Sequence, residues 1–181
     1  MLTFAQNFNI YHSTFMIPMI PYGHKTAASM VILRHGSQYL LLKRIKEPFI
    51  GHYVPVGGKL EPHESPLQAA IRETFEETGI HIENPKFCGV LVESSPVKYN
   101  WTVFIYLADI PMMPPPPCPE GTLEWIKHDD ILNIPTPETD WYIYKYVVDN
   151  QFFMFNAEYD DNISLLTMTD EMERITVFEK K

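Results

Sequence analysis

Three carboxylates at helical spacing dominate the chemistry this chain could perform. Glu73, Glu76 and Glu77 stand at i, i+3 and i+4, which puts them on one face of a helix. Like charges that close repel unless a cation sits among them. Oxygen-only ligands suit a hard divalent ion such as Mg2+, with Mn2+ as the alternative. Arg72 adjoins the set, and its planar guanidinium can orient a carboxylate. Upstream lie Gly57-Gly58 and then Glu64, so a glycine-containing loop leads into the acidic helix. Together these residues point to a metal site that handles phosphates. The bland alternative, a solvated acidic helix with Arg72 as an intrahelical partner, leaves the glycines and the offset of Glu64 without a reason.

The helix that must carry them is marked at both ends. Ser65 is a candidate N-cap, Pro66 takes the first helical position, and Gln68 completes a capping box. Gly79 falls where a left-handed C-cap is expected. The predicted span is Pro66 to Thr78, with Leu67, Ala70, Ile71, Thr74 and Phe75 facing a core.

The loop and helix resemble the Nudix hydrolase signature, G-x5-E-x7-R-E-U-x-E-E-x-G-U, where U is a bulky aliphatic residue. Gly58, Glu64, Arg72, Glu73, Glu76, Glu77, Gly79 and Ile80 fall on it, and Thr74 is the one departure. The resemblance implies an α/β fold, a Nudix-type α/β/α sandwich with a mixed β-sheet. It further implies Glu73 and Glu77 as core metal ligands. Glu76 is a further ligand or holds metal-bound water, and the carbonyl of Gly57 adds an oxygen. Glu64 buttresses the loop or binds a second ion. Which glutamate acts as base and which as ligand stays open, because such a cluster titrates as a coupled set. Glu120, five residues before Trp125, matches an acidic position that completes the metal site or acts as base in MutT-type members; Glu124 is its competitor.

The resemblance extends beyond the signature. Leu41–Arg44, Gly51-His52-Tyr53, Val56–Glu61, Glu120–Ile126 and Asp140 through Tyr159 look like the 8-oxo-dGTP diphosphatase branch. That branch implies Mg2+-dependent hydrolysis of nucleoside triphosphates to monophosphate and pyrophosphate. It implies substrate contacts from Tyr53, Lys59, Asp140 and Trp141, with Phe49 as a further stacking surface. Asp140 matches a position that contacts the purine, although it also reads as an acidic residue at a helix N-terminus. Tyr53-Val54 stands where the branch often carries Trp-Asn, and the aromatic usual just before the aspartate is displaced to Trp141. Two other readings remain: a pyrophosphohydrolase of ADP-ribose or a nucleotide sugar, and a nucleotide sensor that has lost catalysis.

Composition narrows the partners. The chain has 181 residues, of which 45% are hydrophobic and 20% charged, as expected of one globular domain. Its net charge of −9 disfavours a nucleic-acid polymer and fits a small anionic ligand taken through metal. No stretch approaches a membrane span. Cys88 and Cys118 have no metal spacing and read as reduced thiols of a cytoplasmic protein. Residues 1–25 read as an N-terminal arm or extra strand and residues 26–181 as the Nudix domain, monomeric or homodimeric. The remaining pattern predicts strands over Ala28–Arg34, Tyr39–Arg44, Lys86–Glu93, Trp101–Ala108 and Thr122–Lys127. A proline-rich connector covers Pro111–Pro119, a helix Glu138–Asn150, and a final strand Phe152–Tyr159.

Overall fold

The computed structural model describes residues 24–181. The arm expected over residues 1–25 therefore lies outside the described residues, except for His24 and Lys25.

One mixed sheet organises the chain. Its strands are β1 (Thr26–His35), β2 (Gln38–Arg44), β3 (Tyr53–Val54), β4 (Val56–Lys59), β5 (Lys86–Ser94), β6 (Trp101–Asp109), β7 (Gly121–Lys127), β8 (Phe153–Tyr159), β9 (Leu165–Asp170) and β10 (Ile175–Glu179). The order is β10-β9-β8-β5-β6-β1-β2-β3, with β4 also on β1 and β7 also on β2. The β1–β6 and β5–β8 pairs are parallel and the rest antiparallel. A hairpin over His35–Gln38 joins β1 to β2.

Two helices cover the two faces. Val31 and Leu33 of β1 face one cluster with Ala70 of α1 (Pro66–Thr78). Ile32 faces the other, with Ile143, Tyr144 and Val147 of α2 (Glu138–Val148). Strands buried on both faces read as continuous apolar runs, which is why Val31-Ile32-Leu33 shows no polar alternation. This is the three-layer arrangement that the resemblance implies.

Two expectations need correction. Phe152–Tyr159 is not the final strand: β9 and β10 follow it as an antiparallel meander. Leu67 and Phe75 do not face the core; they are 43% and 46% exposed, and Phe75 stacks on His81. Helix α1 instead turns small residues to the sheet, Ala69, Ala70 and Thr74, so its backbone approaches closely. The Thr74 and Thr78 hydroxyls are satisfied by donating to the carbonyls one turn earlier, at 2.7 and 2.6 Å. A short 3-10 turn, His128–Asn133, leads from β7 toward α2.

Candidate active site

Both ends of α1 are fixed by its own sequence. Ser65 Oγ accepts from Gln68 N–H, Gln68 Oε1 accepts from Ser65 N–H, and Gly79 closes the helix at φ 70°. Tertiary contacts then set its position. The buried Ser29 hydroxyl on β1 donates to Pro66 O at 2.7 Å, docking the first turn against the sheet.

The Gly57-Gly58 pair lies on β4, between β1 and the acidic face of α1. A Cβ on Gly57, which has φ 151°, would stand 2.1 Å from Ser29 O. A Cβ on Gly58 would stand 2.4 Å from a Glu73 carboxylate oxygen. Both glycines are thus required by close approach, one to backbone and one to a carboxylate. Gly57 N–H donates to Glu77 Oε2 at 3.1 Å.

Arg72 sits at the centre of the acidic set. Its Nε and Nη2 bind both oxygens of Glu64, at 2.8 and 2.9 Å. Nη1 donates to Glu73 at 2.8 Å and to Glu76 at 3.0 Å, and Nη2 also donates to Lys59 O. This bidentate, charge-assisted grip holds the Glu64 carboxyl below its ordinary range. Glu77 has no such cation. Burial, opposed by the Gly57 N–H and reinforced by the charges of Glu73 and Glu120, pushes it up to about 7.

That donor set suits a hard divalent cation. It is all oxygen, and Glu77, buried and close to other carboxylates, is a group a cation would relieve. Among the described residues no group of three acidic side chains is arranged around a cation site; Arg72 pairs with Glu64, Glu73 and Glu76. Glu120 pairs with Lys46 at 2.5 Å and lines the same cleft as Gly57 and Gly58. Glu124 does not line that cleft and accepts the Tyr53 hydroxyl at 2.9 Å.

The cleft has a volume of about 530 Å³ and runs from Glu120 and the Gly57-Gly58 pair into an aromatic recess. Lys59 and Arg44 border it, as do Phe49, Tyr99, Trp101 and Asp140. Asp140 is buried, and its Oδ2 has no hydrogen-bond partner. Of the residues expected to touch substrate, Lys59 and Asp140 line the cleft, whereas Tyr53 and Trp141 do not. Tyr53 is tied by its hydroxyl to Glu124 and by its backbone to Pro135 and Thr136, and the Trp141 indole packs against the α2-side core. Val54, the neighbour of Tyr53, lines the cleft instead.

Three residues of the recess were not legible as site residues: Glu93, Tyr99 and Trp101. Glu93 did carry a signal, being an acid in the same strand register as buried Leu91. A second cleft, of about 560 Å³, lies at the C-terminal end of α1. Of its two acids, Glu83 and Asp109, the latter is already paired with Arg34, and the cleft reaches neither the Gly57-Gly58 pair nor Glu120.

Comparison with known proteins gives the family. The family model described as the NUDIX domain matches residues 23–147. The chain belongs to the Nudix family. It is 33% identical over 125 residues to the uncharacterized Nudix hydrolase YvcI of Bacillus subtilis, covering 66% of this chain and 77% of that one. It is 36% identical over 93 residues to YtkD of the same organism, named provisionally as an 8-oxo-dGTP diphosphatase. That match covers 50% of this chain and 54% of YtkD. Among solved structures, a MutT protein of Bacillus halodurans superposes with a TM-score of 0.71 at 29% identity, covering 81% of this chain and 98% of that one. The Nudix domain of Shewanella oneidensis NrtR, solved with ADP ribose, shares the fold with a TM-score of 0.60 at 17% identity, covering 70% and 88%. This Nudix protein is a hydrolase of pyrophosphate, or acid anhydride, bonds. Nudix hydrolases generally use divalent metal ions. Among the described residues no helix is long and apolar enough to cross a membrane.

Proposed function

We propose that this Nudix hydrolase is a Mg2+-dependent nucleoside triphosphate diphosphatase acting on oxidised purine nucleotides such as 8-oxo-dGTP. The products are a nucleoside monophosphate and pyrophosphate. The observation that carries this reading is a cleft that joins Glu120 and the Gly57-Gly58 pair, which adjoin the Glu77 and Glu73 carboxylates of α1, to an aromatic recess bordered by the unpartnered Asp140. A polyphosphate fits the first end and a base the second. The similarity to YtkD, named provisionally as an 8-oxo-dGTP diphosphatase, supports the same substrate class.

Glu73, Glu76, Glu77, Glu120 and the Gly57 carbonyl are the groups that would hold the ion. A divalent ion held there would supply charge neutralisation for the phosphates and a more acidic water. Arg72 keeps Glu64, Glu73 and Glu76 in place. Lys59 and Arg44 border the cleft as cations for the polyphosphate chain. Stacking of the base passes from Tyr53 and Trp141, which lie outside the cleft, to Phe49, Tyr99 and Trp101, which border it. Phe49 meets Tyr99 edge-to-face at 6.1 Å, so the recess has both a face and an edge for a planar ring.

Product identity tests the reading. With Mg2+, pyrophosphate release strongest on 8-oxo-dGTP among triphosphates, ADP-ribose and nucleotide sugars is the expected result. Turnover confined to ADP-ribose or a nucleotide sugar, with triphosphates inert, would keep the metal chemistry and overturn the substrate.

A further inference from the structure

A second carboxylic acid lines the recess beside Asp140. Glu93, at the end of β5, is 5% exposed and borders the same cleft. Two tyrosines hold its carboxyl group. Tyr159 donates to Oε1 at 2.6 Å, and Tyr99 donates across both oxygens at 3.2 and 3.3 Å. Each phenol has one proton, and each directs it to Glu93. The short Tyr159 contact has the length of a charge-assisted bond to an anion. Lys25 adds positive charge nearby, bonded to the Glu93 carbonyl and the Ser94 hydroxyl.

Asp140 has the opposite surroundings. It is 4% exposed, and no group donates to its Oδ2. A buried carboxylate with an unsatisfied oxygen and an anion for a neighbour is strongly disfavoured, whereas a protonated carboxyl there can donate. The recess thus sets an acceptor beside a donor. A carboxylate takes up to about four hydrogen bonds, and Oε2 of Glu93 receives only the long Tyr99 bond.

We propose that Glu93 is a base-reading residue, accepting from a ring N–H while the Asp140 carboxyl donates to the adjacent carbonyl of an oxopurine. This rests on the nucleotide reading above and sharpens it to bases with a lactam edge, guanine or hypoxanthine in type. Adenine presents the reverse order, a ring nitrogen acceptor beside an amino donor, and would leave both buried acids mispaired. Guanine and 8-oxoguanine share the lactam edge, so Glu93 selects the ring class and not its oxidation state. A site that hydrogen-bonds its ligand rejects an analogue lacking the match far more strongly than an apolar slot does.

The test separates base reading from hydrolysis. Metal-free binding of dGMP and dAMP is measured by calorimetry on the wild type, on Glu93→Gln and on Tyr99→Phe with Tyr159→Phe. Turnover of dGTP and dATP with Mg2+ is measured in parallel. The wild type should bind dGMP at least about tenfold tighter than dAMP, on the order of one mismatched hydrogen-bonded edge. Glu93→Gln should collapse that preference toward parity, mainly through KM, because its amide can donate to adenine. The tyrosine variant, which leaves Glu93 in place without its donors, should move the ratio the same way and serves if Glu93→Gln does not fold. Equal binding of dGMP and dAMP by the wild type, or an unchanged ratio in both variants, overturns the proposal. A clear dGMP preference without pyrophosphate release from any triphosphate overturns the proposed reaction instead and leaves the base-reading role standing.

Discussion

Arg72 grips Glu64 with two parallel hydrogen bonds, Nε to Oε1 at 2.8 Å and Nη2 to Oε2 at 2.9 Å. The pair ties the loop before α1 to the helix itself. The same guanidinium reaches Glu73 and Glu76, so one cation sets the positions of three carboxylates. Arg72→Lys should therefore be far from conservative. Lysine keeps the charge but cannot make the fork. Loss of most activity is expected, with a stability loss of about 1–3 kcal/mol from carboxylates left part-buried without partners. Urea unfolding and turnover with Mg2+ check both. A variant with wild-type activity would show that the fork does not position the set.

Glu77 should separate chemistry from folding. Its contact within the protein is the Gly57 N–H, which the amide carbonyl introduced by Glu77→Gln can also satisfy. The same substitution removes a buried charge repelled by Glu73 and Glu120. The variant should fold with equal or higher thermal stability and lose at least about a hundredfold in turnover, the scale of removing a charged catalytic group. It should also lose the rise in Tm that Mg2+ or Mn2+ gives the wild type. Retained metal stabilisation would show that Glu77 does not hold the ion.

The two glycines should fail differently. Gly57→Ala drives a Cβ to 2.1 Å from the backbone oxygen of Ser29 at φ 151°, where nothing can yield without breaking the β1–β4 pairing. It should lower stability by several kcal/mol or prevent folding. Gly58→Ala meets the end of the Glu73 side chain at 2.4 Å, which can rotate aside. That variant should fold near wild-type stability yet lose most of its activity, because Glu73 is displaced. Comparing Tm with kcat for the two variants decides.

Asp140 gives a pH signature of stability. Burial, then the charge of Glu93, raises its carboxyl well above the ordinary aspartate range. The folded protein then holds a proton that the unfolded chain releases above about pH 4. This contribution is complete below that pH and is lost as pH rises toward the folded value. Wild-type stability should therefore fall with rising pH through that window, and Asp140→Asn should flatten the fall. Chemical unfolding from about pH 5 to 9 measures it, a range that opens just above the unfolded value; parallel curves for the two proteins would sink the assignment.

Helix α1 and the acidic set on it could be read from the chain alone. Capping residues, helix length and the i, i+3, i+4 carboxylates are all local, separated by at most a few turns, so spacing translates directly into geometry. The apolar runs of β1, β2, β5 and β6 and the turn between β1 and β2 were legible for the same reason. Packing between distant segments settled the rest. Which face α1 buries followed from Ser29 docking its first turn and Glu77 reaching Gly57, and those contacts left Leu67 and Phe75 outside. The tail beyond Tyr159 became β9 and β10 only because β8 offered an edge to pair with. Tyr53 and Trp141 read as base-stacking aromatics, yet the packing of β3 and α2 turned them from the cleft. The recess was assembled instead from Glu93, Tyr99 and Asp140, on β5, the loop after it and α2. No spacing in the chain encodes that convergence; it arises where β5, β6 and α2 pack against one another.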